Sequence, residues 1–178
     1  SLVDNVLEFG SLPSGIAPTD LTVQTVVPNQ VNLINANGVA LNYWDGSNFV
    51  ANGLVDGGNG TWNANASNWT KDDGSLNARW NGSFAIFQGA PGTVEVDDSL
   101  GAISANGMQF VVDGYRIQGA SITLKDAESI IRVGAGANAQ ADNVTATIAS
   151  ELTGNAALVK TDLGTLVLTA DNSYLGGT

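Results

Sequence analysis

The chain has 178 residues, of which 43% are hydrophobic and only 13% are charged, a composition typical of a folded protein with a polar, mostly uncharged surface. Its 17 acidic and 6 basic residues give a net charge of −11, which excludes nucleic acid and anionic membrane surfaces as partners because both select basic patches. It has no Cys and no His, which excludes disulfides, thiolate or imidazole metal ligands and a His-based catalytic triad. We therefore predict no cofactor and no metal requirement.

The length fits one domain spanning residues 1–178. No run of about twenty apolar residues occurs, so we predict no membrane-spanning helix. The chain starts at Ser1 without an initiator Met or a charged and apolar leader, and we expect it to be a piece of a longer protein.

The first stretch, residues 1–43, has the alternation of β-strands. Apolar residues recur at every second position, which is the period of a strand with one buried face; they are Leu21 and Val23, Val31 and Leu33, and Val39, Leu41 and Tyr43. Pro28 interrupts the pattern and predicts a turn or a strand start, because proline donates no hydrogen bond to a sheet.

The second stretch, residues 44–83, contains all four tryptophans, Trp44, Trp62, Trp69 and Trp80, in a background rich in Gly, Asn, Asp and Ser. Aromatic faces beside amides and carboxylates are typical of carbohydrate sites, where rings stack on sugar C–H faces. Alternatively, a turn-rich segment needs large apolar side chains to close on itself, and Trp buries much area per residue. The sequence predicts the four tryptophans as candidate binding residues but leaves open whether they are exposed or packed.

The third stretch, residues 84–178, contains short apolar runs separated by Gly or Asx residues. We predict strands at Phe84–Phe87, Thr93–Val96, Met108–Val112, Ser121–Leu124, Ile130–Val133, Val144–Ala149, Ala156–Val159 and Thr165–Leu168. The segment from Asp126 to Val133 is the one stretch with helical features, but its apolar residues are bunched and Gly134 follows, so we assign it to a strand.

This strand spacing is too close for helical crossovers and predicts an all-β fold. A β-sandwich needs hairpins, and the hairpin signals Asn37-Gly38, Asn81-Gly82 and Asp113-Gly114 are present. A right-handed parallel β-helix needs three short strands per turn, with about 20–25 residues in each turn, and fits equally well. The spacing alone does not decide between the two folds.

The C-terminal residues 158–178 form a distinct pattern, LVKTDLGTLVLTADNSYLGGT. It resembles the autotransporter-associated β-strand repeat, whose form is roughly Leu-x-Lys-x-Gly-x-Gly-Thr-Leu-x-Leu, a short gap, Asn-x-Tyr and Gly-Gly-Thr. The matching positions are Leu158, Lys160, Gly164, Thr165, Leu166, Leu168, Asn172, Tyr174, Gly176, Gly177 and Thr178. Asp162 departs from the pattern, because the family usually has its first Gly there. The match covers about an eighth of the chain.

The resemblance implies that the chain is part of an autotransporter passenger domain, exported by type V secretion and displayed outside the outer membrane of a Gram-negative bacterium. It favours the right-handed parallel β-helix, with Leu166 and Leu168 inside and Lys160 exposed. It also implies a non-enzymatic stalk that assists its own secretion through the translocator barrel of the same polypeptide. The alternative is an adhesin module that binds host glycan or matrix through the Trp-rich segment.

A second alternative is a β-helix enzyme that degrades polysaccharide, which would need two carboxyls facing each other across a cleft. The two Asp-Asp pairs are Asp72-Asp73 and Asp97-Asp98. Neighbours on a strand point to opposite faces, so neither pair forms a catalytic dyad by itself. We predict a turn at the first pair and a strand end at the second, and no catalytic residues.

Overall fold

The computed structural model describes residues 10–12, 21–24, 32–35, 42–134 and 143–178. The chain divides into two compact units, Ser1–Ala40 and Leu41–Thr178. In the first unit, β1 (Leu21–Gln24) pairs antiparallel with β2 (Asn32–Asn35). This confirms two of the strands predicted there, whereas the predictions for Pro28, Asn37-Gly38 and the apolar residues 31, 39 and 41 lie outside the described residues.

The second unit is all-β, and no α-helix occurs in its described residues. Its strands are β3 (Tyr43–Trp44), β4 (Gly60–Trp62), β5 (Trp69–Thr70), β6 (Asn77–Ala78), β7 (Phe84–Phe87), β8 (Thr93–Val96), β9 (Ile103–Ala105), β10 (Gly107–Phe110), β11 (Tyr115–Gly119), β12 (Ile122–Leu124), β13 (Glu128–Val133), β14 (Thr145–Ile148), β15 (Leu152–Gly154), β16 (Ala157–Thr161) and β17 (Thr165–Leu168). Of the strands predicted after residue 84, β7, β8 and β17 have the predicted bounds and the others overlap their predictions.

The strands form three sheets. Sheet one has the order β16–β13–β10–β7–β3–β5–β6, sheet two β17–β14–β11–β8–β4, and sheet three β15–β12–β9. From β7 onward, consecutive strands fall in sheets one, two and three in turn, and each strand pairs in parallel with the strand three positions further on. Every strand pair within residues 84–178 of the described chain is parallel, which confirms the prediction of parallel strands there.

The register of sheet one shows the length of this repeat. Phe84 lies opposite Gly107, and Gly107 lies opposite Ile130, so these two steps take 23 residues each, whereas the next step, from Ile130 to Val159, takes 29. The close approach explains the glycine, because a Cβ at Gly107 would lie 2.6 Å from the Phe84 ring and 2.5 Å from the Ile130 carbonyl oxygen. The two described hairpin signals do not join paired strands: Asn81-Gly82 lies between β6 and β7, and Asp113-Gly114 connects sheet one to sheet two.

The core lies between the sheets and is built from columns of similar side chains. Alternate positions are buried in most of the parallel strands, such as β7, β8, β13 and β14, and parallel in-register pairing stacks them on the equivalent positions of the next strand. Phe87 stacks on Phe110 with 4.9 Å between ring centroids and 10° between planes. In sheet two, Val94, Ile117 and Ile148 form a fully buried column.

The C-terminal motif is explained by its contacts. Asp162, which replaces the usual Gly, has φ +63°, a left-handed conformation that Asp tolerates better than most residues, and its carboxylate lies 3.0 Å from Arg132 Nε. The Asn172 side chain accepts a hydrogen bond from the Leu152 amide at 2.8 Å. A Cβ at Gly176 would lie 2.2 Å from the Ala157 nitrogen.

The sequence predicted whether three side chains of the C-terminal motif are buried or exposed. Lys160 is exposed, as predicted, and its Nζ donates to the Asp162 carbonyl at 2.6 Å. Leu166 and Leu168 pack against the core but are only partly buried, because β17 is the outermost strand of sheet two in the described chain.

Candidate functional site: the tryptophan cluster

The four tryptophans are positioned by short strands next to the parallel sheets. Trp44, Trp62 and Trp69 lie on β3, β4 and β5, and Trp80 follows β6. The first three have 0% exposed side-chain surface, and Trp80 is partly buried against the same core. The structure therefore brings all four candidate binding residues together, but as a packed cluster. Their role in binding remains a prediction.

Trp69 lies at the centre of the cluster. Its ring centroid is 5.3 Å from Trp44, 5.0 Å from Trp62 and 4.2 Å from Trp80, mostly in edge or tilted arrangements. It is also 5.8 Å from Phe87, which belongs to the stacked column of sheet one. Edge-to-face contacts stabilise aromatic packing beyond the effect of the buried area. Because Trp69 also contacts Phe87, the cluster and the core of the sheets form one packed unit.

The cluster lies where all three sheets end. Beyond β7, sheet one continues as β3, β5 and β6, with antiparallel pairing from β3 to β5 and from β5 to β6. Sheet two ends on β4, which pairs in parallel with β8. Sheet three ends on β9, whose Ser104 carbonyl accepts a hydrogen bond from the Trp80 indole at 2.7 Å. Residues 42–83, which we call the end segment, thus provide the last strands of sheets one and two and contact the last strand of sheet three.

A buried polar network holds the end segment together. Asp45 is fully buried; its Oδ1 accepts from the Asp56 amide and its Oδ2 from the Asn77 side chain, both at 2.8 Å. Burial raises the pKa of Asp45, and the hydrogen bonds only partly oppose this. The buried Asn68 side chain donates to the Gly46 carbonyl at 2.7 Å. These Asp and Asn side chains bind their own segment, which agrees with the packed alternative that the sequence left open.

Tyr115 joins the end segment to β11. Its hydroxyl donates to the Gln88 carbonyl at 2.7 Å and accepts from the Gly58 amide at 3.2 Å. Burial raises the pKa of Tyr115 to about 12. The sequence analysis did not identify Tyr115 or Asp45. The local sequence does not distinguish a Tyr or Asp that forms buried hydrogen bonds from one that is exposed.

The paired carboxylates lie where the sequence predicted, in an exposed turn and at a strand end. Asp73 accepts a hydrogen bond from the Ser75 amide and lies 3.3 Å from Lys71 Nζ, and these contacts lower the pKa of Asp73 to about 2. Asp97 accepts from the Ser99 amide, and hydrogen bonding with Ser99 lowers its pKa. Both are ordinary ionised turn residues.

The described residues show no group suited to metal binding or membrane crossing. No cluster of three or more acidic side chains that could hold a metal ion occurs among them. Nor does the described part of the chain include a helix long and apolar enough to cross a membrane.

The fold and site therefore define a class: an acidic, all-β protein of stacked parallel sheets closed at one end by buried aromatic residues. The chain is similar to the protein named Adhesin BmaC autotransporter from Brucella suis biovar 1 (strain 1330), with 50% identity over a match that covers 89% of this chain. The chain spans 5% of that protein's length. No family model and no solved structure matches the chain significantly.

This similarity confirms the resemblance to autotransporter passengers that the C-terminal motif indicated. Passenger segments of this kind are displayed at the cell surface, outside the outer membrane of a Gram-negative bacterium, and the chain is assigned to that location.

Proposed function

We propose that residues 44–178 form a right-handed parallel β-helix that serves as a non-enzymatic structural segment of a cell-surface passenger. The pairing of each strand with the strand three positions further on supports this, because a coil with three strands per turn produces that pairing. Right-handed connections between parallel strands are strongly preferred. Residues 44–83 then cap one end of the coil, and the repeat at residues 158–178 contributes strands at the other.

The same architecture supports a role in secretion. Each turn is built largely from neighbouring residues and buries its apolar face on the adjacent turn, so the coil can fold progressively as the chain emerges. Folding outside the membrane would oppose sliding back through the translocator barrel, which we propose is part of the same polypeptide. In this proposal the work of the segment is mechanical, and it needs no catalytic group.

Neighbouring residues of β13 provide a test with a matched control. Ile131 is fully buried and Ile130 is 39% exposed, since successive strand residues face opposite sides. Asn at 131 places an amide in the core, whereas Asn at 130 places it in solvent. In the full-length protein, the amount of passenger at the cell surface is measured by its cleavage when protease is added outside the cells. We expect Ile131→Asn to reduce this amount and Ile130→Asn to leave it unchanged.

The outcome separates structure from secretion. If Ile131→Asn lowers the urea midpoint of the purified segment but not its surface display, the role in secretion is wrong. If neither variant lowers the urea midpoint, the proposed burial of Ile131 in a stacked core is wrong.

A second candidate function is adhesion to host glycan or matrix through the Trp-rich segment. The similar Brucella protein is named an adhesin, and Trp80 retains some exposed surface. A Trp80→Phe variant keeps an aromatic ring but loses the indole hydrogen bond to Ser104. Loss of binding on a glycan array by Trp80→Ala, with binding retained by Trp80→Phe, would support this function.

A further inference from the structure

The described chain exposes several large hydrophobic side chains, and three of them lie within six residues. Phe49, Val50 and Leu54 are 50%, 40% and 61% exposed, respectively. The other large hydrophobic residues exposed in the described chain are Leu100, Ile130, Leu163 and Leu175, which are scattered along the sequence. Single exposed hydrophobic residues are normal on protein surfaces, but a cluster marks an interaction site.

The loop bearing this cluster is closed by its own hydrogen bonds. The side chains of Asn48 and Asn52 both donate to the same oxygen of Asp56, each at 2.8 Å. One carboxylate therefore holds Asn48, which precedes the apolar stretch, and Asn52, which lies within it. The Asp56 amide in turn donates to the buried Asp45, which anchors the loop to the end segment. An ordered loop loses less conformational entropy when it binds a partner.

An acidic turn lies beside the apolar loop. Gly53 donates its amide to the Gly74 carbonyl at 3.0 Å, and a Cβ at Gly74 would lie 2.1 Å from the Leu54 nitrogen. The turn that contains Gly74 also contains Asp72 and Asp73, both exposed. The nearby cation, Lys71, is paired with Asp73 at 3.3 Å. The loop and the turn together form an exposed surface with apolar side chains and negative charge, which we call the apolar–acidic tip.

We infer that the apolar–acidic tip, formed by Phe49, Val50, Leu54, Asp72 and Asp73, binds a segment of a protein partner that combines exposed apolar side chains with Lys or Arg. Charge decides the kind of partner. The chain has a net charge of −11, so a second copy and anionic lipid are both repelled, whereas a basic protein surface is attracted and steered. This inference does not depend on the proposed β-helical stalk and assigns binding to a surface other than the tryptophans.

The experiment measures binding of the purified chain to three immobilised pools of synthetic 12-residue peptides. One pool combines Lys/Arg with Leu/Phe, one combines Lys/Arg with Ser/Gly, and one combines Asp/Glu with Leu/Phe. We expect the basic, apolar pool to bind at least about tenfold more strongly than either of the others. Equal binding to both basic pools would show that net charge alone acts, and would overturn the inference, as would absence of binding to all three pools.

Variants assign the binding to the tip. The triple variant Phe49→Ser, Val50→Ser, Leu54→Ser is expected to weaken binding by at least about tenfold, because interface energy is concentrated in a few apolar anchors. In a matched control, Leu100→Ser together with Leu175→Ser removes exposed leucines elsewhere and is expected to change nothing. If the control pair weakens binding as much as the triple variant, the inference is wrong.

The acidic part is tested separately. Asp72→Asn with Asp73→Asn is expected to weaken binding by about threefold at low salt and to reduce its salt dependence. Urea midpoints of the apolar variants are expected to stay close to that of the parent, since the changed residues are exposed, whereas Asp73→Asn loses its contacts with Ser75 and Lys71 and is expected to lower the midpoint slightly. Phosphatidylserine vesicles that capture the parent but not the triple variant, or a dimer that the triple variant dissociates, would instead identify a membrane or a second copy and refute the protein partner.

Discussion

Replacing Trp69 with Ala tests whether the tryptophan cluster stabilises the fold. An aromatic side chain buries about 150–250 Å², which corresponds to about 4–6 kcal/mol at 25 cal/mol per Å². Trp69 is fully buried, and its indole N–H has no hydrogen-bond partner among the described residues, so the expected loss is one of packing. Alanine retains part of the apolar surface, and we expect a loss of about 3–5 kcal/mol in the free energy of unfolding. With a urea dependence of about 2 kcal/mol per M, the midpoint falls by about 2 M.

The assay is urea unfolding followed by far-ultraviolet circular dichroism. Leu175→Ala is the control, because that side chain is 79% exposed and its removal is expected to change stability by at most about 0.5 kcal/mol. A loss below about 1 kcal/mol for Trp69→Ala would refute the structural role of the cluster. Acrylamide gives an independent check, since it is expected to quench at most a minority of the four indoles. Quenching of three or four would favour a binding face.

Three further outcomes are expected. Because burial raises the pKa of Asp45, the folded chain holds this proton more tightly than the unfolded chain, and the Asp45 contribution to stability falls as pH rises above the ordinary Asp pKa of about 4. Asp45→Asn removes this effect. The urea midpoint of the variant is therefore expected to rise relative to that of the parent as pH increases, and a difference between the two midpoints that does not change with pH would contradict the mechanism. Gly57→Ala is expected to destabilise by at least about 3 kcal/mol, because φ is +67° and a Cβ would lie 2.2 Å from the Gln88 carbonyl oxygen, whereas Gly53→Ala, at φ +80° in open space, costs about 1 kcal/mol. EDTA is expected to leave the melting temperature unchanged, and a drop that calcium restores would show a metal site.

The parallel strands were the part of the fold that sequence could predict best. β7, β8 and β17 are short runs rich in apolar or β-branched residues with Gly or Asx close to their ends, and their bounds were predicted correctly. β9, β11 and β15 were not predicted. β9 and β15 have only three residues each, and β11, Tyr115-Arg-Ile-Gln-Gly119, places polar side chains at the positions that do not face the core. Such strands form because they pair with strands three positions away, and a local window does not contain that partner.

The tryptophan segment shows why the candidate site could not be resolved from residue types. A sugar-binding surface and a buried aromatic cluster both need Trp beside Asn, Asp and Gly. The difference lies in whether the polar groups face a ligand or their own backbone, as Asn68 and Asp45 do. Those contacts join residues up to 32 positions apart, such as Asp45 and Asn77, and no local pattern predicts them.

The composition of the end segment follows from the position it occupies. A stack of parallel sheets ends in open strand edges, which can pair with other chains unless they are covered or kept short. Here sheet one turns into antiparallel strands of two residues, β5 and β6, and the Trp80 indole covers a carbonyl of sheet three. Reversing strand direction over so few residues requires turns rich in Gly, Asn and Asp, and two-residue strands bury too little area to hold themselves in place. Large aromatic side chains supply that area with few residues, so a Trp-rich, turn-rich stretch is the composition expected of a cap.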